Sequence, residues 1–554
     1  MKMILAKRSA LGYDFKHCFR KRSPMKTLTN VEIPIDESLE EKLAYLVPSY
    51  GEYRILRQSV DARRRHSPHF VYTIEIAEQG EKLQRSDYPV EKLSYTGEEK
   101  PIIVGSGPAG LFAALRLVER GIPCRLFERG SESNERIKGI NKYWRYGELD
   151  PRNNVCFGEG GAGLYSDGKL ITRIKSPYIP YVMHRLVQFG APEEIQYLSN
   201  PHVGSDRIRR VIPKLREFLK ANGCEIFFNT KVEKLLLEKN QIIGIENERG
   251  EKFYSHHVVL ATGHSAEDML MHLHDLGVAL EGKSFAMGLR IEHPQNLINK
   301  IQFREFSEHP KLGAANYKLA HHDEKTNIGV YSFCMCPGGY VLSSGTETDG
   351  VVCNGMSNYH RNSPFANAAI VVSIDHQKTF GNDLMGGMKL RRDLETKSLN
   401  AIKAKGGKKE LPAQTVTDFF ARKDSEIRTG SSPSGAIPVR LDQILPNFMS
   451  QKIQDGLEKF DRSMKGFLSK DAQLYGVESR TSCPLRVTRD DETLESTSHK
   501  GLYPCGEGAG YAGGITSAAC DGIRVAESIV SQLSNQSSRN MAGAFLEGVK
   551  PSST

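Results

Sequence analysis

Six consecutive residues, Gly105-Ser106-Gly107-Pro108-Ala109-Gly110, have the types and spacing with which a chain holds a pyrophosphate. In a GxGxxG turn the first glycine permits the tight turn and the second lets the backbone approach phosphate oxygens. The third lets the following helix lie close to the sheet. Pro101-Ile102-Ile103-Val104 reads as a buried strand, residues 109–120 as a helix, and Gly121 as its stop. Such a helix directs its first N–H groups and the positive end of its dipole at the anion. Residues 124–128 read as a second strand ending in Glu128, 18 residues beyond Gly110. A carboxylate there can accept both hydroxyls of an adenosine ribose. Arg129 could face a 2′-phosphate, but Glu128 would repel one, so the ribose is read as unphosphorylated. The six loop residues, Glu128 and Arg129 are the first part of a predicted dinucleotide site.

Two more GxGxxG matches, at Gly158, Gly160 and Gly163 and at Gly508, Gly510 and Gly513, do not build a second nucleotide fold. No clear strand precedes the first, and the chain runs out after the second. They read as parts of the same site, with no inserted NAD(P) domain. Three later features choose the dinucleotide. Val258-Val259-Leu260-Ala261-Thr262-Gly263 resembles the strand that returns the chain to the cofactor in glutathione-reductase-type FAD domains. Val232 fits the strand facing the adenine in that fold. Residues 501–515, with Gly506-Glu507 and Gly513-Gly514-Ile515, resemble the C-terminal flavin motif, in which an acid after a glycine bonds the ribityl chain. Glu507 stands where aspartate is more frequent. The helix that follows would aim its positive end at the flavin N1/O2 edge. The cofactor expected is FAD.

Residues from about 100 to 530 resemble the uncharacterised FAD-dependent dehydrogenase family of bacteria and plastids. The segments that carry the resemblance are 154–163, 166–170, Gly288-Leu289-Arg290-Ile291-Glu292-His293-Pro294, 331–339 and 478–484. The resemblance implies FAD binding and oxidoreductase chemistry through flavin N5, and supplies no substrate. It also implies that a glycine-rich loop wraps flavin and pyrophosphate, a role that Gly160, Gly161, Ala162, Gly163 and Lys169 fit.

The elements that must position these residues follow as an α/β chain. A Rossmann-like FAD-binding domain of glutathione-reductase type carries an inserted α+β substrate or cap domain and is preceded by an N-terminal α+β domain. The expected bounds are 1–24 (basic, disordered extension), 25–97 (N-terminal domain), 98–279 and 481–535 (FAD-binding domain), 280–480 (substrate domain) and 536–554 (flexible tail). Within the N-terminal domain, residues 31–35, 39–47 and 70–76 read as strand, helix and strand, with Arg54, Arg57, Arg63, Arg64 and Arg65 as an exposed basic face or an RNA or phosphate site. Residues 94–100 read as a linker, 253–261 as one strand, and 376–480 as mainly helical.

Composition sets limits on function. Hydrophobic residues make up 39% and charged residues 25%, as in ordinary globular chains. No apolar run approaches the roughly 18 residues of a membrane span, and no signal peptide is visible. The net charge of +9 suggests nucleic acid until it is located. Residues 1–24 hold seven Lys and Arg against Asp14, leaving only +3 elsewhere. That segment reads as an upstream start extension before Met25, an organelle-targeting segment or a nucleic-acid arm. The ten cysteines have no small-domain or zinc spacing and read as reduced thiols in a cytoplasm-like compartment, or in a plastid or other organelle if residues 1–24 are a targeting segment. No metal site is expected.

Catalytic residues are not readable from spacing; the candidates are Lys169, Arg290 and His293. Lys169 could stabilise charge near N1/O2 or sit solvated on the surface. Arg290 and His293 could hold an acidic substrate and shuttle a proton, or form an ion-paired turn. Cys334-Met335-Cys336 suggests redox chemistry, although CxxC at a helix N-terminus is the commoner arrangement. It reads as a strand–turn edge lining a substrate cavity. Arg480, Cys483 and Arg486 either contact the flavin region or pack. His256-His257 and His321-His322 read as solvated turns. The leading expectation is an FAD-dependent oxidoreductase of a small molecule, with NAD(P)H as a transient reductant and no nucleic-acid partner. An FAD-dependent RNA-modifying enzyme and a non-catalytic flavin sensor are the alternatives.

Overall fold

A computed structural model describes residues 26–63, 67–83, 87–424 and 426–547. The basic segment 1–24, Met25, Arg64 and Arg65 lie outside the described residues. The chain divides into two compact units, the first ending before Asp87 and including Tyr197–Ser199, the second holding the rest.

In the first unit the strands Lys26–Pro34, Tyr50–Asp61 and His69–Glu78 form an antiparallel sheet with the last in the centre. Helix Leu39–Leu46 is capped by Ser38, whose side chain accepts from the Glu41 N–H. Ile33, Leu43, Ile74 and Ile76 fill its core. The strand Tyr50–Asp61 is an addition to the sequence reading, because its Arg, Gln and Ser residues break the apolar alternation. Its arginines are engaged rather than free: Arg54 pairs with Glu75, and Arg57 Nε donates to Ser199 Oγ at 2.9 Å. Just beyond the strand, Arg63 pairs with Asp61.

The second unit is built on a five-stranded parallel sheet. Ile102–Val104 lies at its centre, with Cys124–Phe127 and Cys224–Phe227 on one side and Val258–Leu260 and Leu502–Pro504 on the other. These short strands are apolar runs because both faces of a parallel sheet are covered. Helix Pro108–Glu119 covers one face and packs against the C-terminal helix Ile515–Glu547. At that crossing a Cβ on Gly522 would lie 2.1 Å from the Ala109 carbonyl oxygen, so only glycine admits the approach. Along the chain, an antiparallel meander of Val232–Glu238, Gln241–Asn247 and Lys252–Tyr254 leads from Cys224–Phe227 to Val258–Leu260.

Four sequence expectations change here. Residues 253–261 are not one strand: Lys252–Tyr254 ends the meander and Val258–Leu260 enters the parallel sheet, with Ser255, His256 and His257 turning between them. His257 is not solvated. It is buried, with Nδ1 2.9 Å from Glu99 Oε1, and this contact draws in the stretch 94–100 read as a linker. Leu93 N–H also donates to the Arg120 carbonyl, so residues 87–100 belong to the second unit. The tail after 535 is helical as far as Glu547, in keeping with the helix formers Met541, Ala542, Ala544, Leu546 and Glu547.

The middle of the chain forms a seven-stranded sheet in the spatial order Ala320–Asp323, Ile328–Cys336, Phe365–Ile374, Phe285–Pro294, Gln473–Glu478, Leu411–Thr415 and Ala436–Pro438. All its pairings are antiparallel except the last. Helices Gly386–Ala404 and Asn447–Ser463 accompany it. The region 376–480, read as mainly helical, therefore also supplies three strands, one of them beside the long central strand Phe285–Pro294.

Candidate cofactor and substrate site

Each glycine of the first motif has a separate physical reason. Gly105 has φ +104°, and a Cβ there would meet the Ala261 carbonyl oxygen at 2.3 Å. A Cβ on Gly110 would lie 1.9 Å from the Gly105 carbonyl oxygen. Both are needed by the protein itself, for the turn and for helix against strand. Gly107 is different. Its φ is −74° and a Cβ would come no closer than 3.9 Å to Gly161 Cα, so the space beside it is open. Gly107 is also the N-cap of Pro108–Glu119, no side chain caps that helix, and Pro108 opens it. The start of this helix, at Gly107, Pro108 and Ala109, thus borders the cavity without a side-chain cap, as an anion site requires.

The Glu128 carboxylate joins three loops. Oε2 accepts from Ser106 N–H at 2.9 Å and Ser106 Oγ at 2.8 Å; Oε1 accepts from Gly130 N–H and Gly158 N–H, each at 3.0 Å. The Ser106 carbonyl in turn accepts from Gly160 N–H at 2.9 Å. Arg129 does not wait for a phosphate: its guanidinium pairs with Asp268 at 3.0 Å and lies over the Phe157 ring. Burial opposes charge on Asp268, yet Arg129 and Lys231 hold its carboxyl down to about 2.

These residues line one part of a cavity of about 380 Å³, within the roughly 300–1,000 Å³ of ligand sites. Of the sequence-predicted cofactor residues, Gly105, Gly107, Pro108, Ala109, Glu128, Arg129, Gly161, Ala162, Gly163, Lys169, Val232, Thr262, Gly263, Glu507, Gly513, Gly514 and Ile515 line it. Ser106, Gly110, Gly160 and Gly506 stand behind the wall: Ser106 holds Glu128, Gly110 seats the helix, and Gly160 and Gly506 turn the backbone in the left-handed region. The glycine segments at 158–163 and 506–514 fold around this one cavity rather than forming second sites. Thus a Cβ on Gly508 would strike the Gly263 carbonyl oxygen at 2.4 Å, and one on Gly161 would press on Gly107 Cα at 3.0 Å.

The far part of the cavity is lined by Asp167, Lys169, Phe333, Cys334, Asn354, Glu478, Arg480 and Thr481. Lys169 is not a free surface lysine. Its ammonium pairs with Asp167 at 2.9 Å and donates to the Met335 carbonyl, while Asp167 also pairs with Arg361. Arg290 is completely buried behind the wall. It donates Nε to Glu478 Oε2 at 2.9 Å, Nη2 to Glu478 Oε1 at 3.0 Å and Nη1 to Asn367 Oδ1 at 2.7 Å, so it orients cavity groups without entering the cavity. His293 is a core residue. Nε2 lies 2.9 Å from the Phe467 carbonyl, its ring packs on Phe467, and burial pushes its pKa down to about 4; it does not line the cavity. The strand alternates, so Arg290 and His293 point to opposite faces.

Glu507 lines the cavity between the two parts and accepts from Cys483 N–H at 3.3 Å. Burial pushes its carboxyl up to about 7, with Lys283 opposing. Arg480 reaches the cavity but is paired with Glu395 and Glu347; Cys483 is buried, and Arg486 pairs with Glu281 away from it. Thr230, Phe157, Met269, Asn354, Glu478 and Thr481 line the cavity, although no spacing in the sequence singles them out. Glu478 opens the segment 478–484 that carries the family resemblance, but nothing local shows its pairing with Arg290, 188 residues away.

A family model described as "FAD-dependent protein, C-terminal domain-like" matches residues 284–481. An uncharacterised protein of Clostridium beijerinckii is 38% identical over 527 residues, covering 91% of this chain and 98% of that protein. Among solved structures, the halogenase PltM is 11% identical over 80% of this chain and 71% of its own, with a TM-score of 0.37. CtdE in complex with FAD is 11% identical over 82% and 96%, with a TM-score of 0.29. The GidA-related protein of Thermus thermophilus is 15% identical over 34% and 73%, with a TM-score of 0.22.

Proposed function

The chain belongs to the family of FAD-dependent proteins that the C-terminal-domain model and the Clostridium beijerinckii relative represent, and from that premise we propose that it is an FAD-dependent oxidoreductase acting on a small molecule. The observation that carries this reading is the open space at Gly107. A glycine with no steric need of its own caps an uncapped helix N-terminus, opposite Gly161 and beside a carboxylate prepositioned by four donors.

In this reading the loop 105–110 and the first turn of Pro108–Glu119 hold the pyrophosphate, and Glu128 takes the ribose hydroxyls in place of part of its present donor set. Thr230, Val232, Phe157 and Met269 enclose the adenine. Glu507, with a carboxyl near neutrality, binds the ribityl chain, and Gly513, Gly514 and Ile515 bring the N-terminus of the last helix to the ring. Bound FAD supplies two-electron, hydride-transfer chemistry at N5. The substrate then lies against the face formed by Lys169, Phe333, Cys334, Asn354, Glu478 and Thr481. Lys169 offers a fixed positive charge there, Asn354 and Thr481 offer neutral hydrogen-bonding groups, and Arg290 holds Glu478 and Asn354 in place. Among the described residues no helix is long and apolar enough to cross a membrane. The described arginines of the first unit are engaged within the protein, which favours a small substrate over RNA.

The test is anaerobic. The flavin band of the purified protein is recorded while NADH, NADPH and then a protein-free metabolite extract are added, followed by an electron acceptor. Bleaching and recovery over many turnovers is expected. A flavin reduced only by dithionite, with no donor from any pool, would overturn the oxidoreductase reading in favour of a flavin sensor. RNA binding by the whole chain with a steep salt dependence would favour the RNA-modifying alternative.

A further inference from the structure

Strand Ile328–Cys336 pairs with Phe365–Ile374 as far as Phe333 opposite Ala369, and resumes with Cys336 opposite Asn367. Three steps on one strand answer two on the other, so the segment Cys334-Met335-Cys336 is a bulge. Cys334 has φ +45°, in the left-handed region that L side chains rarely adopt. In a flat strand residues two apart lie about 6.6 Å from each other, at the outer limit for a disulfide. Here the bulge folds the second thiol back, with Cys336 Sγ 3.2 Å from the Cys334 carbonyl oxygen.

The two sulfurs are also placed unequally. Cys334 lines the cavity, and Cys336 is fully buried behind it. Two cations bracket the segment: the Lys169 ammonium bonds the Met335 carbonyl, and Arg290 Nη1 lies 3.4 Å from the Cys334 carbonyl. The nearby carboxylates are already engaged, Glu478 by Arg290 and Asp167 by Lys169 and Arg361. This is the electropositive, partly accessible setting of reactive thiolates. The thiol–thiol contact with Cys336 and the charges of Lys169 and Arg290 outweigh burial and the Glu478 charge and hold the Cys334 thiol down to about 6; the Cys336 thiol is driven well above its ordinary value by that same thiol–thiol contact and by burial. One sulfur is thus disposed to be a thiolate and the other to keep its proton.

We propose that Cys334 and Cys336 are a redox-active dithiol/disulfide couple that exchanges two electrons with FAD bound in the cavity, an inference that rests on the oxidoreductase reading above. In the forward step the Cys334 thiolate and the Cys336 thiol become a disulfide. The S–S bond forms, the Cys336 S–H bond breaks, and two electrons and that proton pass to oxidised FAD, leaving it as the anionic two-electron reduced form. The reverse step restores thiolate and thiol. Cys334 faces the substrate space and is the sulfur that a substrate would meet; Cys336 is the resolving partner.

Two readouts test the couple. The first is a non-reducing peptide map of the wild-type protein after mild oxidation with diamide. The peptide holding residues 334–336 should be lighter by two hydrogens and closed to iodoacetamide, and both thiols should label after reduction. The second is an anaerobic dithionite titration of the diamide-oxidised holoprotein, freed of excess oxidant, with flavin content read first. Wild type should take up about two equivalents per FAD, whereas Cys334→Ser and Cys336→Ser should take up about one, with Cys336→Ala replacing a serine variant that fails to fold. Uptake of a single equivalent by wild type, with both thiols labelled after diamide, would overturn the couple while leaving FAD binding intact. A purified protein without flavin would instead overturn the reading beneath it, and the peptide map would still report on the two thiols.

Discussion

Arg290 and Glu478 give the sharpest energetic prediction. Their side chains are 0% and 3% exposed and share two hydrogen bonds of 2.9 and 3.0 Å, between the central strand Phe285–Pro294 and its neighbour Gln473–Glu478. Removing one charge leaves the other buried and uncompensated, which costs roughly 3–5 kcal/mol. Glu478→Met should therefore lower the melting temperature by about 6–10 °C, at roughly 2 °C per kcal/mol for a unit of this size. Arg290→Met should cost a similar amount, because Asn367 and Asn354 also lose a donor. The double variant removes both charges together. It should cost about as much as either single variant, giving a coupling energy of roughly 3–5 kcal/mol rather than additivity. The assay is urea unfolding of all four proteins, followed by release of flavin fluorescence. Costs that add to within about 0.5 kcal/mol would refute the buried pair as the feature holding this wall of the cavity.

Three further outcomes follow from the same geometry. The Glu507 carboxyl sits at about 7 in the fold against 4.5 when free, so the folded state keeps a proton that the unfolded state loses. Glu507's contribution to the stability of the flavin-free protein is full below pH 4.5 and falls by about 3 kcal/mol as pH rises to 7. Glu507→Gln should flatten that part of a melting-temperature profile, and an unchanged slope would contradict the assignment. Gly110→Ala drives a Cβ into the Gly105 carbonyl and should destabilise the protein by roughly 1–3 kcal/mol, measured by thermal melting of the flavin-free protein. His293→Gln should lower the melting temperature yet leave the rate of flavin reduction by a donor within about twofold, because the ring meets Phe467 and not the cavity. A loss of about a hundredfold would return His293 to the catalytic group.

What the sequence reveals here depends on range. Gly105, Gly107 and Gly110 lie within one turn, and Glu128 ends the next strand, so their spacing is set by local geometry and reads directly. The paired segments at Thr262-Gly263 and Gly506-Glu507 are readable because each keeps its own strand-and-turn pattern. The Arg290–Glu478 pair is not readable, since antiparallel register between strands 188 residues apart leaves no spacing to detect. The strand Tyr50–Asp61 is hidden by its polar residues, among them Arg54, which meets Glu75 across the sheet. His257 looks like a solvated turn until Glu99, from a stretch read as linker, reaches its ring. Arg290 and His293 look like one cluster in the sequence, and strand alternation sends them to opposite faces. Cys334 reads as part of a strand edge, and a one-residue slip of register makes it a bulge facing the cavity.

The central claim is that FAD occupies the cavity with its pyrophosphate against Gly107. That glycine has room for a side chain in the protein, where a Cβ would meet nothing closer than 3.9 Å, but none if a phosphate lies there. The most direct measurement is the flavin-to-protein ratio of purified Gly107→Asp, from visible and ultraviolet absorbance, beside its circular dichroism. The expected result is a folded protein with the wild-type far-ultraviolet spectrum and almost no FAD, because the added carboxylate fills the space and repels the phosphates. A folded Gly107→Asp protein that retains its full complement of FAD would contradict it.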